Sequence, residues 1–228
     1  MKSRLPTATI CLSLFLLGCQ STESLSKDMV SISVKTRRQA ALELCWRGDS
    51  EDISGALPQL KQALSDDDHF VRLAAIDAIS QMGQKAASAV PELRALLKRK
   101  DIDPEDTQLE SQPLLALTPS RFHACLALAM IGPEGHKAIP DMIVVLESDH
   151  SELTSLGARL ALQKMGKVAI NPLIKQFSNK AGASASVINT LKSMIKEHRD
   201  EIRSKLKIVA QSGNPAAKAQ ASELLKSL

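Results

Sequence analysis

The sequence is poor in aromatic side chains. Its 228 residues include no tyrosine, four phenylalanines and a single tryptophan, Trp46. Sheets draw heavily on aromatic and β-branched residues, whereas alanine and leucine, in which this chain is rich, favour helices. Because 44% of the residues are hydrophobic, a buried core is still expected. The composition therefore predicts an all-α protein.

Motifs that carry common enzyme chemistries are absent from the sequence. It contains no GxSxG, Walker-type loop, CxxC or HExxH motif. The closest approach to a metal cluster is His198 with Glu197 and Glu201, but the run Lys-Glu-His-Arg-Asp-Glu around them is typical of a solvated helix surface. We therefore predict that the protein is not an enzyme and has no catalytic residue, cofactor, metal or small-molecule substrate.

A strong excess of positive charge is also missing. The formal net charge is +4, and removal of residues 1–18 takes away Lys2 and Arg4 and no acid, which leaves 27 basic and 25 acidic residues. Nucleic-acid binders obtain much of their affinity by neutralising phosphates. The near-neutral balance therefore argues against nucleic acid as a partner.

The first 18 residues have the pattern of an export signal. Lys2 and Arg4 precede an apolar run at positions 7–17, which is too short for a bilayer-spanning helix of about 20 residues. The run ends in Leu-Leu-Gly-Cys at positions 16–19, which resembles a bacterial lipobox. The alternative is an ordinary secretory signal that merely contains a cysteine.

The lipobox resemblance implies cleavage after Gly18 and attachment of acyl chains to Cys19, since two or more chains anchor a protein stably to a membrane. In enterobacterial lipoproteins an Asp after the lipidated cysteine favours inner-membrane retention. Gln20 stands there in this chain, so the resemblance implies a periplasm-facing address at the outer membrane. Residues 19–35 are rich in serine and lack sustained helical periodicity, which predicts a flexible tether.

An internal repeat organises the rest of the chain. An Arg, inner alanines and a glycine recur after 49 and then after a further 34 residues. The third copy has Ser155 in place of the Arg. An Ala-aliphatic-Pro motif, or a variant of it, follows each copy. The clear copies, with a degenerate one in front, cover residues 38–64, 71–93, 120–142 and 156–173. Helical periodicity continues to the last residue. The pattern predicts one repeat domain at 36–228 with about five helical hairpins.

Each unit has the composition of a helical hairpin. In the second unit, Ala74, Ala75 and Ala78 form a small-residue face that a neighbouring helix can approach closely. Gly83 ends this first helix, since glycine tolerates a left-handed conformation, and Pro91 suits the first turn of the second helix. Because one hairpin cannot bury its apolar face alone, the units are predicted to stack into an α-solenoid.

The pattern resembles HEAT-like repeats of the phycobilisome-lyase type. The resemblance rests on Leu-Ser-Asp-Asp-Asp-His-Phe-Val-Arg at positions 64–72, the alanine-rich helix and Met82-Gly83, and it covers residues 37–175 well. It implies a curved stack that serves as a scaffold far more often than as an enzyme. Deoxyhypusine hydroxylases resemble this fold and bind iron through His-Glu dipeptides, but no histidine here is followed by Glu.

Cys45 and Cys125 lie in apolar helical segments about two repeats apart. With helices stacked at about 10 Å, their Cα atoms are too far apart for a disulfide, which needs less than about 7 Å. We predict two buried, unreactive thiols.

About 15 extra residues, near positions 100–116, separate the second and third units. The helix that follows is apolar nearly all round, with Leu126 where the second unit has Asp77. Leu126, Met130 and the aligned Leu160 are interpreted either as a packing site for this insertion or as an exposed patch for a partner. Scattered apolar residues without a role are the third reading.

These features predict a membrane-tethered HEAT-repeat lipoprotein that acts as a protein-binding scaffold in the bacterial cell envelope, with a protein partner of unknown identity. Two alternatives stay open: a HEAT-like enzyme of the lyase or isomerase type, and an architectural subunit of an envelope complex. Export weighs against a lyase, because phycobiliproteins are cytoplasmic.

Overall fold

The computed structural model describes residues 20–48, 50–99, 118–148 and 151–228. Every regular element in these ranges is helical, which confirms the predicted all-α class. None of the helices in these ranges has both the length and the hydrophobicity needed to cross a bilayer. The predicted signal peptide, Cys19 and the insertion near 100–116 lie outside the described residues.

The helices of the described ranges follow one another mostly as hairpins. They are α1 (Thr22–Asp28), α2 (Val34–Gly48), α3 (Leu57–Ala63), α4 (His69–Gln81), α5 (Val90–Leu97), α6 (Ser120–Ile131), α7 (Ile139–Ser148), α8 (Glu152–Met165), α9 (Lys167–Lys175), α10 (Ala185–Ser212) and α11 (Pro215–Lys226). Turns of 3₁₀-helix at Ser54–Ala56, Gly83–Ala89 and Gly135–Ala138 lead into α3, α5 and α7, and another at Gln176–Ser178 follows α9.

The hairpins stack in the order of the sequence. Helices α2, α4, α6 and α8, which we call the first helices, pack side by side, and the second helices α5, α7 and α9 form a layer next to them. Helix α10 continues the stack against α7, α8 and α9 and pairs with α11. The fold is therefore the predicted α-solenoid, in which each hairpin covers the apolar side of its neighbour.

Helix boundaries follow local chemistry. The Asp68 carboxylate accepts a hydrogen bond from the backbone N–H of Val71 at 3.1 Å and so caps α4. Gly83, Gly132 and Gly166 follow three first helices with positive φ angles of 54°, 83° and 64°. Only glycine adopts this conformation at little cost, so the glycine that follows the first helix of the second, third and fourth units has a backbone reason.

Small residues line the contacts between first helices. Ala41, Ala75, Ala124 and Ala158 occupy equivalent positions in four units and have no exposed surface. Larger apolar side chains, of which Phe177 is one, complete the core. The buried side chains form one continuous cluster through all the described units, so no core boundary divides them.

Ion pairs connect the first two units. Arg37 makes a bidentate pair with Asp66, with Nε–Oδ2 and Nη2–Oδ1 distances of 2.7 and 2.9 Å. The buried Arg72 donates from Nη1 to the carbonyl oxygens of Asp66 and Asp67 at 2.7 and 3.0 Å. In this unit the arginine of the repeat motif therefore holds the loop in front of α4.

The prediction of a flexible tether at residues 19–35 is wrong for residues 20–35, the part that the structure describes. Helix α1 begins after Ser21, whose hydroxyl caps it, and it packs on α2 and on Ser54–Ala56. Leu25 and Met29 are buried in this contact. A helix of seven residues shows little periodicity, and its stability comes from a surface that other segments provide.

The two thiols differ in burial. Cys125 is fully buried as predicted, but Cys45 is only half-buried. The Sγ atom of Cys45 accepts a hydrogen bond from Nε2 of Gln81 at 3.7 Å. The prediction of a buried thiol is therefore wrong for Cys45, which lies near the C-terminal end of α2 and is partly open to solvent.

Candidate binding face

The first helices leave one side to solvent. Each of them packs against its neighbouring first helices, and second helices lie against α4, α6 and α8. Positions that point away from both kinds of contact therefore stay on the outside. Residues four apart on a helix share a side. We call the following equivalent residues the first-helix face: Asp77 and Gln81 on α4, Leu126 and Met130 on α6, and Leu160 and Lys164 on α8.

The first-helix face changes from polar to apolar along the stack. Met130 is 45% exposed and Leu160 is 38% exposed, whereas Leu126 is half-buried and packs against the core. The structure thus places the three predicted patch residues on the same side of two adjacent helices. Within the described part of the chain, two of them are exposed.

The two helices that carry this patch approach each other closely. A Cβ atom at Gly157 of α8 would lie 2.9 Å from the Cα atom of Phe122 on α6, which is closer than real side chains come. Backbone contact therefore sets the spacing between α6 and α8. The patch residues therefore lie on two helices whose backbones are in close contact.

Charged groups flank the patch at both ends. On the side of the second unit, Asp77 Oδ1 lies 2.8 Å from His123 Nδ1, and the other ring nitrogen of His123 is buried without a hydrogen-bond partner among the described residues. On the side of the fourth unit, Lys164 is exposed. Along the stack, the first-helix face therefore presents first an acidic group, then an apolar centre and then a basic group.

A cleft extends this face towards the fifth unit, which consists of α10 and α11. It lies between α8 and α10 and has a volume of about 330 Å³, at the lower end of the range for ligand pockets. Its lining consists of Gln163, Lys164, Ser193, Met194, Glu197 and His198. The cleft is polar and of mixed charge, which suits side chains of a bound segment better than an apolar small molecule.

A second cleft, of about 460 Å³, coincides with a departure from the repeat pattern. Ser155 of α8 stands where α4 and α6 carry the buried Arg72 and Arg121. Because serine is smaller than arginine, space remains at this position, and Leu153 and Arg159 also line the resulting cleft. The replacement is visible in the aligned repeats, but sequence analysis missed the cleft, because its other wall belongs to α10.

The cluster around His198 has a structural explanation. Glu201 Oε2 lies 3.6 Å from Nζ of Lys167, and His198 sits at a kink in α10 with φ −130° and ψ 29°. The described residues contain no group of three His, Cys, Asp or Glu side chains that could hold one metal ion. Glu201 is thus placed to pair with a lysine of α9.

A known protein family matches the N-terminal part of the repeat region. Residues 28–108 match the family model for HEAT repeats, which is less than half of the chain. A search of curated proteins found no match.

Several solved structures with a similar fold are engineered proteins. A computationally designed armadillo repeat protein for modular peptide recognition is 17% identical with a TM-score of 0.51, and the alignment covers 91% of this chain and 100% of that one. A designed armadillo repeat protein in complex with the peptide (KR)4 is 17% identical with a TM-score of 0.50 over 91% and 99% of the two chains. A further engineered protein has the same identity and a TM-score of 0.50 over 91% and 98%. At this identity the likeness concerns the fold, and the chain is an all-α solenoid of the armadillo and HEAT type.

Proposed function

We propose that this protein is a binding scaffold of the bacterial cell envelope, anchored by lipid on Cys19, that holds a protein partner on its first-helix face. The proposal depends above all on Met130 and Leu160, which are exposed apolar residues at positions where α4 has Gln81 and Asp77. The fold accepts polar residues at these positions, so packing alone does not require apolar ones. Exposed apolar residues in a group are a common feature of contact surfaces.

The close contact between α6 and α8 favours binding. Because α6 and α8 touch through their backbones at Gly157, a partner does not have to order the helices first, which lowers the cost of association. Met130 adds adaptability, since an unbranched thioether side chain can adjust to several shapes. The surface is suited to a short segment that offers one or two apolar side chains.

The charges on either side define the partner further. A segment that crosses the first-helix face would place a basic group near Asp77 and an acidic group near Lys164, with apolar side chains between them. The likeness to designed armadillo proteins, one of which is described as bound to a peptide of lysine and arginine, supports peptide binding as a use of this kind of stack.

The membrane part of the proposal rests on the N-terminal sequence. Lys2 and Arg4, the apolar run at 7–17 and Leu-Leu-Gly-Cys at 16–19 have the order and spacing of a lipoprotein signal. Gln20 favours a periplasm-facing outer-membrane address. In this proposal the lipid determines the location and the repeats determine the partner, without catalysis by this chain.

Introducing a negative charge into the apolar part of the first-helix face tests the binding function. Met130→Glu and Leu160→Glu should each reduce capture of the main crosslinked partner about 30-fold, which is the loss of about 2 kcal/mol expected at an interface centre. Val168→Glu is the matched control, since Val168 on α9 is also 45% exposed but belongs to the second-helix layer. The measurement is crosslinking in cells, followed by purification of the full chain in detergent and quantification of crosslinked bands.

The face is not the contact surface if both variants keep a native helical circular dichroism spectrum and capture the same proteins in the same amounts. Loss of capture in all three variants would point to a change of the whole stack. A partner that is lost only with Met130→Glu and Leu160→Glu, and retained with Val168→Glu, supports the proposal.

A further inference from the structure

The chain is bound to the domain surface from its first described residue. The carbonyl oxygen of Gln20 accepts a hydrogen bond from Nη1 of Arg47 at 2.5 Å, and its side-chain amide donates to Asp28 at 3.2 Å. Ser21 then caps α1, and Leu25 is buried against the core. Between residue 20 and the repeat stack there is consequently no free length of chain.

This entry point lies at the C-terminal end of α2. Arg47 is held there by Glu43, whose carboxylate accepts hydrogen bonds from Nε and Nη2 at 3.0 and 2.9 Å. The residue before Arg47 is Trp46, the only tryptophan of the chain. Trp46 is 65% exposed. The largest apolar side chain of the protein thus projects from the helix end to which Gln20 is bonded.

We infer that Trp46 and the C-terminal end of α2 rest on the surface of the lipid bilayer. The inference depends on the proposed lipidation of Cys19. The Cα atom of Cys19 is one peptide, about 3.8 Å, from that of Gln20, so acyl chains on Cys19 bring the Gln20–Arg47 contact to the membrane. Tryptophan is enriched at membrane interfaces, because its ring is apolar and its N–H is polar.

This contact orients the molecule on the membrane. A tether of 16 free residues would leave the stack rotating at some distance from the bilayer, whereas a domain bonded to residue 20 is held against it by its first unit. The later units, with the patch on α6 and α8, extend away from the anchored unit along the stack. The lipid surface is thus a second ligand of the protein, contacted by the first unit, whereas the protein partner binds the first-helix face of the later units.

The single tryptophan reports directly on this contact. The lipidated full chain is purified from membranes, its acylation is verified by mass spectrometry, and it is reconstituted into zwitterionic phosphatidylcholine vesicles with or without bromine on the acyl chains. The emission of Trp46 is expected to shift to shorter wavelength relative to detergent-free Cys19→Ala protein, and to lose intensity in the brominated vesicles. The matched control is Trp46→Phe with Ile208→Trp, because Ile208 on α10 is 61% exposed and lies in the fifth unit.

Each outcome decides the inference. A blue shift with quenching at position 46 and neither at position 208 supports it. Acylated protein whose Trp46 emission and quenching match those of the control overturns it and leaves the lipid anchor intact. Purified chain without acyl groups on Cys19 overturns both the anchor and the contact. Quenching at both positions would show a stack lying flat on the bilayer, which contradicts the proposed orientation.

Discussion

Asp68 has two roles at the start of α4. Its carboxylate caps the helix at Val71 and pairs with Arg38, whose guanidinium lies 4.7 Å from the ring centre of Phe70. Burial alone would raise the pKa of Asp68, but hydrogen bonds from Arg38 and from backbone N–H groups outweigh it, so the pKa lies below its usual value. The ionised carboxylate therefore stabilises the folded state.

Asp68→Ala should lower the free energy of unfolding by about 1–3 kcal/mol, through loss of the cap and of the pair with Arg38. Because the pKa is lowered in the folded state, this contribution is complete above the unfolded value of about 3.9, decreases as the pH falls below it, and is lost once the pH is below the folded-state pKa. Chemical denaturation at neutral pH and near pH 3 measures both effects. Asp67→Ala is the control, since the exposed Asp67 serves Arg72 only through its carbonyl.

A difference between wild type and Asp68→Ala that stays constant down to pH 3 would contradict this account of Asp68. The role was only partly predictable. The cap follows from three successive aspartates before an apolar helix, but the pair with Arg38 joins residues 30 positions apart and needs the stacked helices.

At the scale of elements, α6 and α8, the two helices that carry the patch, come close together at Gly157. In an exposed helix, Gly→Ala usually stabilises by about 1 kcal/mol. At Gly157 a Cβ atom would meet the Cα atom of Phe122 at 2.9 Å and its carbonyl oxygen at 3.0 Å. Backbone atoms cannot move aside alone, so the two helices would have to separate.

Gly157→Ala is therefore expected to reduce the free energy of unfolding by about 1–3 kcal/mol. Gly55→Ala is the matched control, because a Cβ atom there would have no neighbour within 4 Å, and its effect should stay within about 0.5 kcal/mol. Thermal or urea unfolding of both variants measures this. Stabilisation by Gly157→Ala would contradict the close contact between α6 and α8.

Element boundaries were largely accessible from the sequence, whereas two element-level features were not. Periodicity and terminal glycines located the first helices of units two to four, because both signals are local. The sequence did not predict helix α1, because the stability of this helix depends on the burial of Leu25 and Met29 against α2. The sequence also did not predict the cleft at Ser155, because one of its walls comes from α10.

At the scale of the whole molecule, the proposed lipid anchor makes a simple prediction. Cys19→Ala should move the protein from the membrane fraction to the soluble fraction and abolish incorporation of labelled palmitate, since no other acyl acceptor is proposed. Cys11→Ala, which alters the preceding apolar run but leaves the lipobox, should behave like wild type. Fractionation with quantitative immunoblotting tests this, and undiminished membrane retention of Cys19→Ala would refute the anchor.

The sequence by itself determined the all-α class, the hairpin units and their stacking in chain order, because these follow from local periodicity and from copies that share one apolar face. The tertiary structure decided what lies on the surface: the outward position of Met130 and Leu160, the backbone contact at Gly157, and the docking of residues 20–29 beside Trp46. Such features depend on atoms supplied by segments that are distant in sequence, and no local pattern encodes their distances.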